Sequence, residues 1–222
     1  MTNAVPFFSR KGFYALNVQC IVDHRKKVLW ARYNSKGASH DSTCFKDSDL
    51  YQRLLSISDK LYQKERFILG DSAYGIESFL IPPYDTPFSK TPEDDFNYYH
   101  SSARITVECA FGEISLRWGI FWKKLSSSIE TNIMVCEAAM QLHNFLVEYR
   151  ERNNVDLEYE KTVFRTDCSD VGLYSQVIAN DDCRVGGRIS IQNLCSRRKG
   201  LFLRDKLKIN LAEAGLHRPI IE

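Results

Sequence analysis

The sequence lacks several features that would assign it to a particular class of protein. It has no run of 18 apolar residues, so we expect no membrane-spanning helix and no membrane partner. Its first residues do not place an apolar core after a basic flank, which argues against a signal peptide. Its 7 cysteines show no two- or three-residue spacing, which argues against a zinc ribbon and a disulfide framework. We therefore expect reduced thiols in a cytosolic or nuclear compartment.

Charge is unevenly distributed along the chain. The net charge is only +2, but residues 184–218 hold 9 basic and 2 acidic residues, whereas residues 150–183 are acidic. We expect a globular domain over 1–149, an irregular acidic linker over 150–183, and a basic C-terminal appendage over 184–222 with a short helix at 201–211. The basic segment is either a phosphate-binding surface or an ordinary solvated face.

Hydrophobic patterning predicts a mixed α/β domain. Aromatic and β-branched runs predict strands at 13–22 and 28–33, joined by a polar turn as an antiparallel hairpin. A helix follows from about Asp41 to Leu55, where a short side chain can cap the helix. A brief apolar strand at 66–70 ends at Gly70, with Asp71 just beyond it.

Two longer helices are predicted in the second half of this domain. Apolar residues recur at helical spacing over 94–118 and over 131–149. On the first of these helices, Glu108 lies at the margin of the apolar face, where it can point along the edge of a sheet. On the second, His143 lies among apolar residues and is expected to be a hydrogen-bonded core residue.

Four segments, in this order and spacing, carry a resemblance to a known family. They are Arg10-Lys11-Gly12-Phe13-Tyr14-Ala15-Leu16-Asn17, then Gly37-Ala38-Ser39-His40-Asp41-Ser42, then Leu69-Gly70-Asp71-Ser72-Ala73-Tyr74, and finally Ala103-Arg104-Ile105-Thr106-Val107-Glu108 with Arg117-Trp118. Leu142-His143-Asn144-Phe145 fits the same family. Over about residues 10–149 the chain resembles the catalytic domain of Harbinger-type DDE transposases and their domesticated nuclease relatives.

The resemblance implies an RNase H-like fold and metal-dependent cleavage of DNA. The second and third acidic residues of the family fall on Asp71 and Glu108, which would ligate Mg²⁺ or Mn²⁺. Carboxylate oxygens are the hard ligands that such ions prefer, and a pair of ions can activate water and stabilise a leaving oxygen. It also implies DNA as substrate, a separate Myb-like DNA-binding partner protein, and location in the nucleus, or in the cytoplasm without that partner.

The first acidic residue of the family has no counterpart in this sequence. It should lie on a central strand before Arg10, yet none of the nine preceding residues is acidic. We therefore expect a truncated gene product, a relic, or a protein completed by another chain. Asp41 is the best substitute ligand, because the end of a three-strand meander would place it on the same rim as Asp71. Capping of the following helix is the alternative for Asp41.

Basic residues near the predicted site have two interpretations each. Arg104 either pairs with Glu108 one helical turn later or holds that carboxylate in place, and it is also a candidate for contact with a DNA backbone. Arg117, Lys123 and Lys124 either contact a DNA backbone or are solvated surface charges. His40 either orders Asp41 or touches a phosphate, with a surface or capping histidine as the alternative.

Two functions of different classes remain open from the sequence. The first is a metal-dependent nuclease or transposase domain that uses Asp71 and Glu108. The second is a catalytically inactive, transposase-derived module that binds DNA or protein. No helix-turn-helix or Myb-like pattern is visible, so target recognition would come from elsewhere.

Overall fold

A computed structural model describes residues 16–36, 40–122, 126–154 and 191–219. The chain divides into two compact units, and each is described by itself. The first unit comprises Met1–Gly37 and Ile105–Asn180, and the second comprises Ala38–Arg104 and Asp181–Glu222. The predicted division at 149/150 and 183/184 stays a prediction.

The described residues form four strands and six α-helices, in the order of two strands, three helices, two strands and three helices, which confirms the mixed α/β class. The strands are β1 Leu16–Val22, β2 Val28–Lys36, β3 Ile68–Leu69 and β4 Leu80–Ile81. The helices are α1 Asp41–Lys46, α2 Asp49–Ser56, α3 Ser58–Gln63, α4 Pro92–Arg117, α5 Ile129–Asn153 and α6 Ile191–Glu213. A 3-10 turn at Gly119–Trp122 follows α4. In the described ranges, no helix is both long and apolar enough to cross a membrane.

The first unit is built on the predicted hairpin. β1 and β2 pair antiparallel, with Cys20 opposite Ala31. The Asp23 carboxylate closes the turn, because its Oδ1 accepts from the backbone N–H groups of Arg25 and Lys27, each at 2.9 Å. Lys26 adopts a left-handed backbone conformation with φ of 69°. A carboxylate that binds backbone two residues ahead is the turn chemistry that the sequence predicts here.

Helix α5 is hydrogen-bonded to the second strand of this hairpin. The side chain of Asn144 imitates a neighbouring strand: its Oδ1 accepts from Val28 N at 2.7 Å, and its Nδ2 donates to Val28 O at 2.8 Å. The adjacent His143 is fully buried and donates from Nε2 to Lys26 O at 2.8 Å. The prediction that His143 is a hydrogen-bonded core residue is confirmed.

A small apolar core lies between the hairpin and the helices of this unit. Val28, Ile114, Ala139 and Met140 are buried together, so the core joins the hairpin to the C-terminal part of α4 and to α5. The prediction of two long helices is confirmed, with bounds of 92–117 and 129–153 in place of 94–118 and 131–149.

The second unit is organised around a parallel strand pair, in which β4 is buried and β3 is half-buried. Ile68 lies opposite Leu80 and Leu69 opposite Ile81. Both residues of β4 are buried, and Ile81 packs with Phe96 of α4 and Leu203 of α6. Strands that are covered on both faces read as short apolar runs without alternation, which is why the sequence signal here was an apolar run.

The region predicted as one helix from Asp41 to Leu55 is two helices. Ser48 causes the break: its Oγ donates to Phe45 O at 2.6 Å and accepts from Tyr51 N at 3.1 Å. It therefore closes α1 and caps α2 with one buried hydroxyl. A serine in this role competes with continuous helix, and the apolar periodicity alone could not reveal it.

The C-terminal helix is much longer than predicted. It runs over 191–213 instead of 201–211, and it packs into the core of the second unit through Leu203. Gly200 permits the close approach, because a Cβ built at this position would lie 2.4 Å from the carbonyl oxygen of Glu77.

We expect Gly200→Ala to destabilise the second unit. Alanine favours helix over glycine by about 1 kcal/mol, but the clash with rigid backbone costs about 1–3 kcal/mol, so the net effect is a loss. Gly112→Ala is the matched control, since a Cβ at this helical glycine meets nothing within 4 Å. Thermal and denaturant unfolding should show a lower midpoint for the first variant and an unchanged or higher midpoint for the second. Equal behaviour of the two variants would contradict the close packing of α6.

Candidate functional site

The parallel strand pair positions Asp71. The chain leaves β3 at Gly70, whose N–H donates to Ile81 O at 3.1 Å and extends the ladder by one bond. A Cβ at Gly70 would lie 3.0 Å from Cδ1 of Leu80, so this exit from the strand is tightly packed. Asp71 follows directly, as predicted, at the carboxyl end of a short strand, although the two residues of this strand are half-buried rather than buried as expected. Side chains at such ends commonly form ligand sites in α/β proteins.

The Asp71 side chain is held by its own turn. Oδ1 accepts from Ala73 N at 2.9 Å, and the backbone carbonyl of Asp71 accepts from Tyr74 N at 3.2 Å. The side chain is 21% exposed. This geometry orients one carboxylate oxygen and keeps the other partly open to solvent.

Two charged side chains act on Asp71 in opposite directions. Nη2 of Arg104 lies 3.9 Å from its Oδ2, at the edge of ion-pair distance. Burial, followed by the negative charge of Asp41, raises the pKa of Asp71 above its usual range, although the Ala73 N–H and Arg104 oppose the rise. A partly buried carboxylate whose anionic form is disfavoured in this way is common at functional positions, whereas a tight ion pair would lower its pKa.

Asp41 is the first residue of α1 rather than its cap. The N-cap position belongs to His40, so the prediction that Asp41 occupies the cap is wrong by one residue. An acidic residue in the first helical turn still interacts favourably with the helix dipole. Asp41 also lies close enough to Asp71 for its negative charge to raise the pKa of Asp71. Both carboxylates raise the pKa of Tyr74.

Tyr74 belongs to the same cluster and was not predicted as a site residue. Its ring packs edge-on to Phe45, with 5.8 Å between the ring centroids. Burial, and then the carboxylates of Asp41 and Asp71, raise the pKa of its hydroxyl, so the hydroxyl stays protonated at physiological pH. The run Gly70-Asp71-Ser72-Ala73-Tyr74 could have indicated this, because a turn that starts at an aspartate brings the residue three positions later close to that aspartate.

The other predicted site residues lie on α4 or beyond it. Glu108 is exposed on α4, four residues after Arg104, and belongs to the first unit. Arg117 is the last residue of α4 and is half-buried. Lys123 and Lys124 lie outside the described residues. Arg104 approaches Asp71, which the sequence did not indicate as its partner, and its predicted roles at Glu108 and at DNA stay predictions.

The donor chemistry of this cluster suits a hard divalent cation. Burial and, to a smaller extent, the negative charge of Asp41 raise the pKa of Asp71, and a cation held by the Asp71 carboxylate would offset both effects. Over residues 16–36, 40–122, 126–154 and 191–219, no group of three histidine, cysteine or acidic side chains is close enough to hold a metal ion. The cluster thus fits the type of ligand, and a complete two-ion site needs at least one more carboxylate.

We expect Asp71→Asn to stabilise the folded chain at neutral pH. Because the folded-state pKa of Asp71 is raised, the folded chain holds this proton more tightly than the unfolded chain, and stability falls as pH rises through the raised pKa. Asparagine removes that penalty, so the variant should unfold at a higher denaturant midpoint than the wild type at pH 7. The gain should disappear below the usual carboxyl pKa of 3.8.

Asp95→Asn is the matched control for that measurement. A hydrogen bond from Arg218 N, and then His217, lower the pKa of Asp95, so its loss should destabilise the chain at neutral pH. Unfolding free energies of both variants between pH 3 and pH 7 check the two signs. A destabilised Asp71→Asn at pH 7 would mean that Asp71 is simply a turn residue with a favourable ion pair.

Comparison with known proteins places these residues in a family. The family described as DDE superfamily endonuclease matches residues 1–144. "Protein ALP1-like" of Arabidopsis thaliana is 24% identical over 165 residues, which are 68% of this chain and 39% of that protein. "Putative nuclease HARBI1" of Homo sapiens and its counterpart of Bos taurus are each 25% identical over 147 residues, which are 64% of this chain and 40% of theirs.

The chain therefore spans about two fifths of the length of these relatives. No solved structure matches it. The family match covers well over half of the chain and includes Asp41, Asp71, Arg104 and Glu108. The chain belongs to the DDE superfamily endonuclease family.

Proposed function

We propose that this chain contributes a divalent-metal-dependent DNA endonuclease site, with Asp71 and Glu108 as ligands of Mg²⁺ or Mn²⁺. The observation that carries the proposal is the state of Asp71. It stands just after the parallel strand β3, its turn orients the carboxylate, and burial of the Asp71 side chain together with the charge of Asp41 raises its pKa. Family membership supplies the reaction class.

Asp41 is the candidate for a further ligand. It shares the second unit and an electrostatic environment with Asp71, and it opens α1 from a half-buried position. Two or more carboxylates are needed because a divalent ion in a partly buried site must be balanced by hard anionic oxygens. When bound, such ions would supply an activated water and stabilise the leaving oxygen of a phosphodiester.

Arg104 is proposed as a positioning residue for Asp71. With 3.9 Å between Nη2 and Oδ2, it is near enough to favour the anionic carboxylate and too far for a tight bidentate pair. A loose partner can keep Asp71 ionised without occupying both of its oxygens. Tyr74, whose hydroxyl stays protonated, is available as a hydrogen-bond donor beside the same carboxylates.

The finer features implied by the family resemblance belong to the same proposal. They are an RNase H-like arrangement with a further strand that carries the first acidic residue, and DNA-backbone contacts from Arg117, Lys123 and Lys124. A separate Myb-like DNA-binding protein would select the target, and the nucleus would be the site of action. The nuclease names of the mammalian relatives support a nucleic-acid substrate.

Metal titration of the purified chain, read by melting temperature and by nicking of supercoiled plasmid, tests the proposal. We expect saturating Mn²⁺ or Mg²⁺ to stabilise the chain, by about 2.7 kcal/mol at a hundredfold excess over Kd. Asp71→Ala and Glu108→Ala should abolish that response and lower nicking by more than about 100-fold, since even residues behind a metal ligand cost about 10–100-fold.

Two further variants sharpen the outcome. Asp41→Asn should weaken metal stabilisation if Asp41 is a ligand, whereas Asp85→Asn, an exposed acidic residue of the same unit, should leave it unchanged. A folded wild-type chain that shows no metal response and no nicking would overturn the nuclease proposal and favour a DNA- or protein-binding module. Retained nicking in Asp71→Ala would overturn the assignment of the ligand.

A further inference from the structure

His100 is a buried polar residue of α4 in the second unit. Its side chain is 5% exposed, and its Nε2 lies 3.0 Å from the backbone carbonyl oxygen of Ile81. A carbonyl oxygen can only accept a hydrogen bond, so Nε2 carries the proton and donates it. His100 therefore ties α4 to the last residue of β4.

The carbonyl oxygen of Ile81 accepts a second hydrogen bond, from the N–H of Gly70 at 3.1 Å. A carbonyl oxygen has two lone pairs, so both donors can be satisfied at once. Asp71 follows Gly70 directly in the chain. The oxygen of Ile81 is thus the point at which a side chain of α4 meets the backbone that leads into Asp71.

Packing holds the His100 ring in place. The ring is tilted against Phe96, with 5.7 Å between the ring centroids. Phe96 is 3% exposed and packs with Ile81 in the apolar cluster of this unit. The hydrogen bond from His100 is therefore made in packed surroundings, where it is electrostatically stronger than in water.

The His100 ring is neutral at physiological pH. Burial lowers its pKa, and the positive charges of Arg104 and Arg204 lower it further, although the hydrogen bond to Ile81 opposes them. A neutral ring holds the carbonyl without placing another cation beside Arg104, whose Nη2 lies 3.9 Å from Oδ2 of Asp71. Because His100 and Arg104 are four residues apart, they lie on one face of α4. The helix therefore acts on the end of β3 at two successive turns.

We propose that His100 is a positioning residue for metal binding, which fixes the end of β3 through the Ile81 carbonyl and so fixes the direction of the Asp71 carboxylate. The inference rests on the proposed function, because it gives His100 a role toward the proposed metal ligand. Removal of a residue that holds a metal ligand costs about 10–100-fold in metal affinity, and a residue that acts through the backbone should lie at the lower end of that range.

Two substitutions separate the hydrogen bond of His100 from its packing. His100→Phe keeps a ring against Phe96 but removes the donor. The oxygen of Ile81 stays satisfied by Gly70 in this variant, so we expect it to fold, as circular dichroism can check. His100→Gln loses the ring but retains an amide N–H that can reach the same oxygen. If His100 only filled space, His100→Phe would be the milder change, whereas a positioning role makes His100→Gln the milder one.

Amide hydrogen exchange at Gly70, followed by NMR in the metal-free chain, is the first readout. We expect exchange, corrected for the global stability of each variant, to accelerate by about 3- to 10-fold in His100→Phe, which corresponds to the loss of one hydrogen bond. His100→Gln should stay near the wild-type rate. Asn97→Ala is the matched control, because Asn97 also ties α4 to backbone after β4, but at Tyr84. It should leave the corrected rate at Gly70 unchanged.

The affinity for Mn²⁺, measured from the melting temperature over a metal titration of the full chain, is the second readout. We expect His100→Phe to raise the Kd by about tenfold. His100→Gln and Asn97→Ala should remain close to the wild type. This order of the variants follows the hydrogen bond to Ile81 and not the size of the side chain.

The two readouts distinguish failure of this inference from failure of the metal site. Unchanged Gly70 exchange in His100→Phe, or a His100→Gln variant as impaired as His100→Phe, would overturn the role of His100. So would an unchanged Kd for Mn²⁺ in His100→Phe when the wild type binds the ion. A wild-type chain with no response to Mn²⁺ would overturn the proposed metal site together with the role of His100 toward it, even if faster exchange in His100→Phe confirmed the tie to Gly70.

Discussion

The hydrogen bond from Gly70 N to Ile81 O holds the candidate site in place. It closes a parallel strand pair of two residues each, which is far too short to be stable alone. The pair persists because Ile81 is buried under Phe96 and Leu203. The position of Asp71, one residue after this bond, therefore depends on the packing of the C-terminal helix α6 more than a hundred residues later in the chain.

The pKa of Asp71 is set by influences that act in opposite directions. Burial and Asp41 disfavour its charge, whereas Arg104 and the Ala73 N–H support it. A site that served stability alone would pair this carboxylate tightly or replace it with asparagine. The arrangement resembles the general pattern in which a functional position retains a strained charge and the surrounding core compensates for it.

The first unit is held together differently, through the contacts that one face of α5 makes with the hairpin. On one side, His143 and Asn144 bind the backbone of the hairpin, and Met140 packs against Val28. These contacts lock the helix to the hairpin with directional bonds rather than with a large core. On the opposite side of α5, Phe145 and Tyr149 are exposed by 63% and 51% in the part of the chain that the structure describes.

Local patterns in the sequence determined the hairpin, the two long helices, the placement of Asp71 after a strand, and the family. These follow from alternation, helical periodicity and turn residues, all of which act over a few neighbours. The break at Ser48, the full length of α6, and the approach of Arg104 to Asp71 depended on tertiary structure. Each arises from contacts between residues distant in sequence or from one buried hydroxyl, and neither leaves a periodic signal. Gly200 shows the limit most clearly: its meaning comes only from the carbonyl of Glu77 that lies against it.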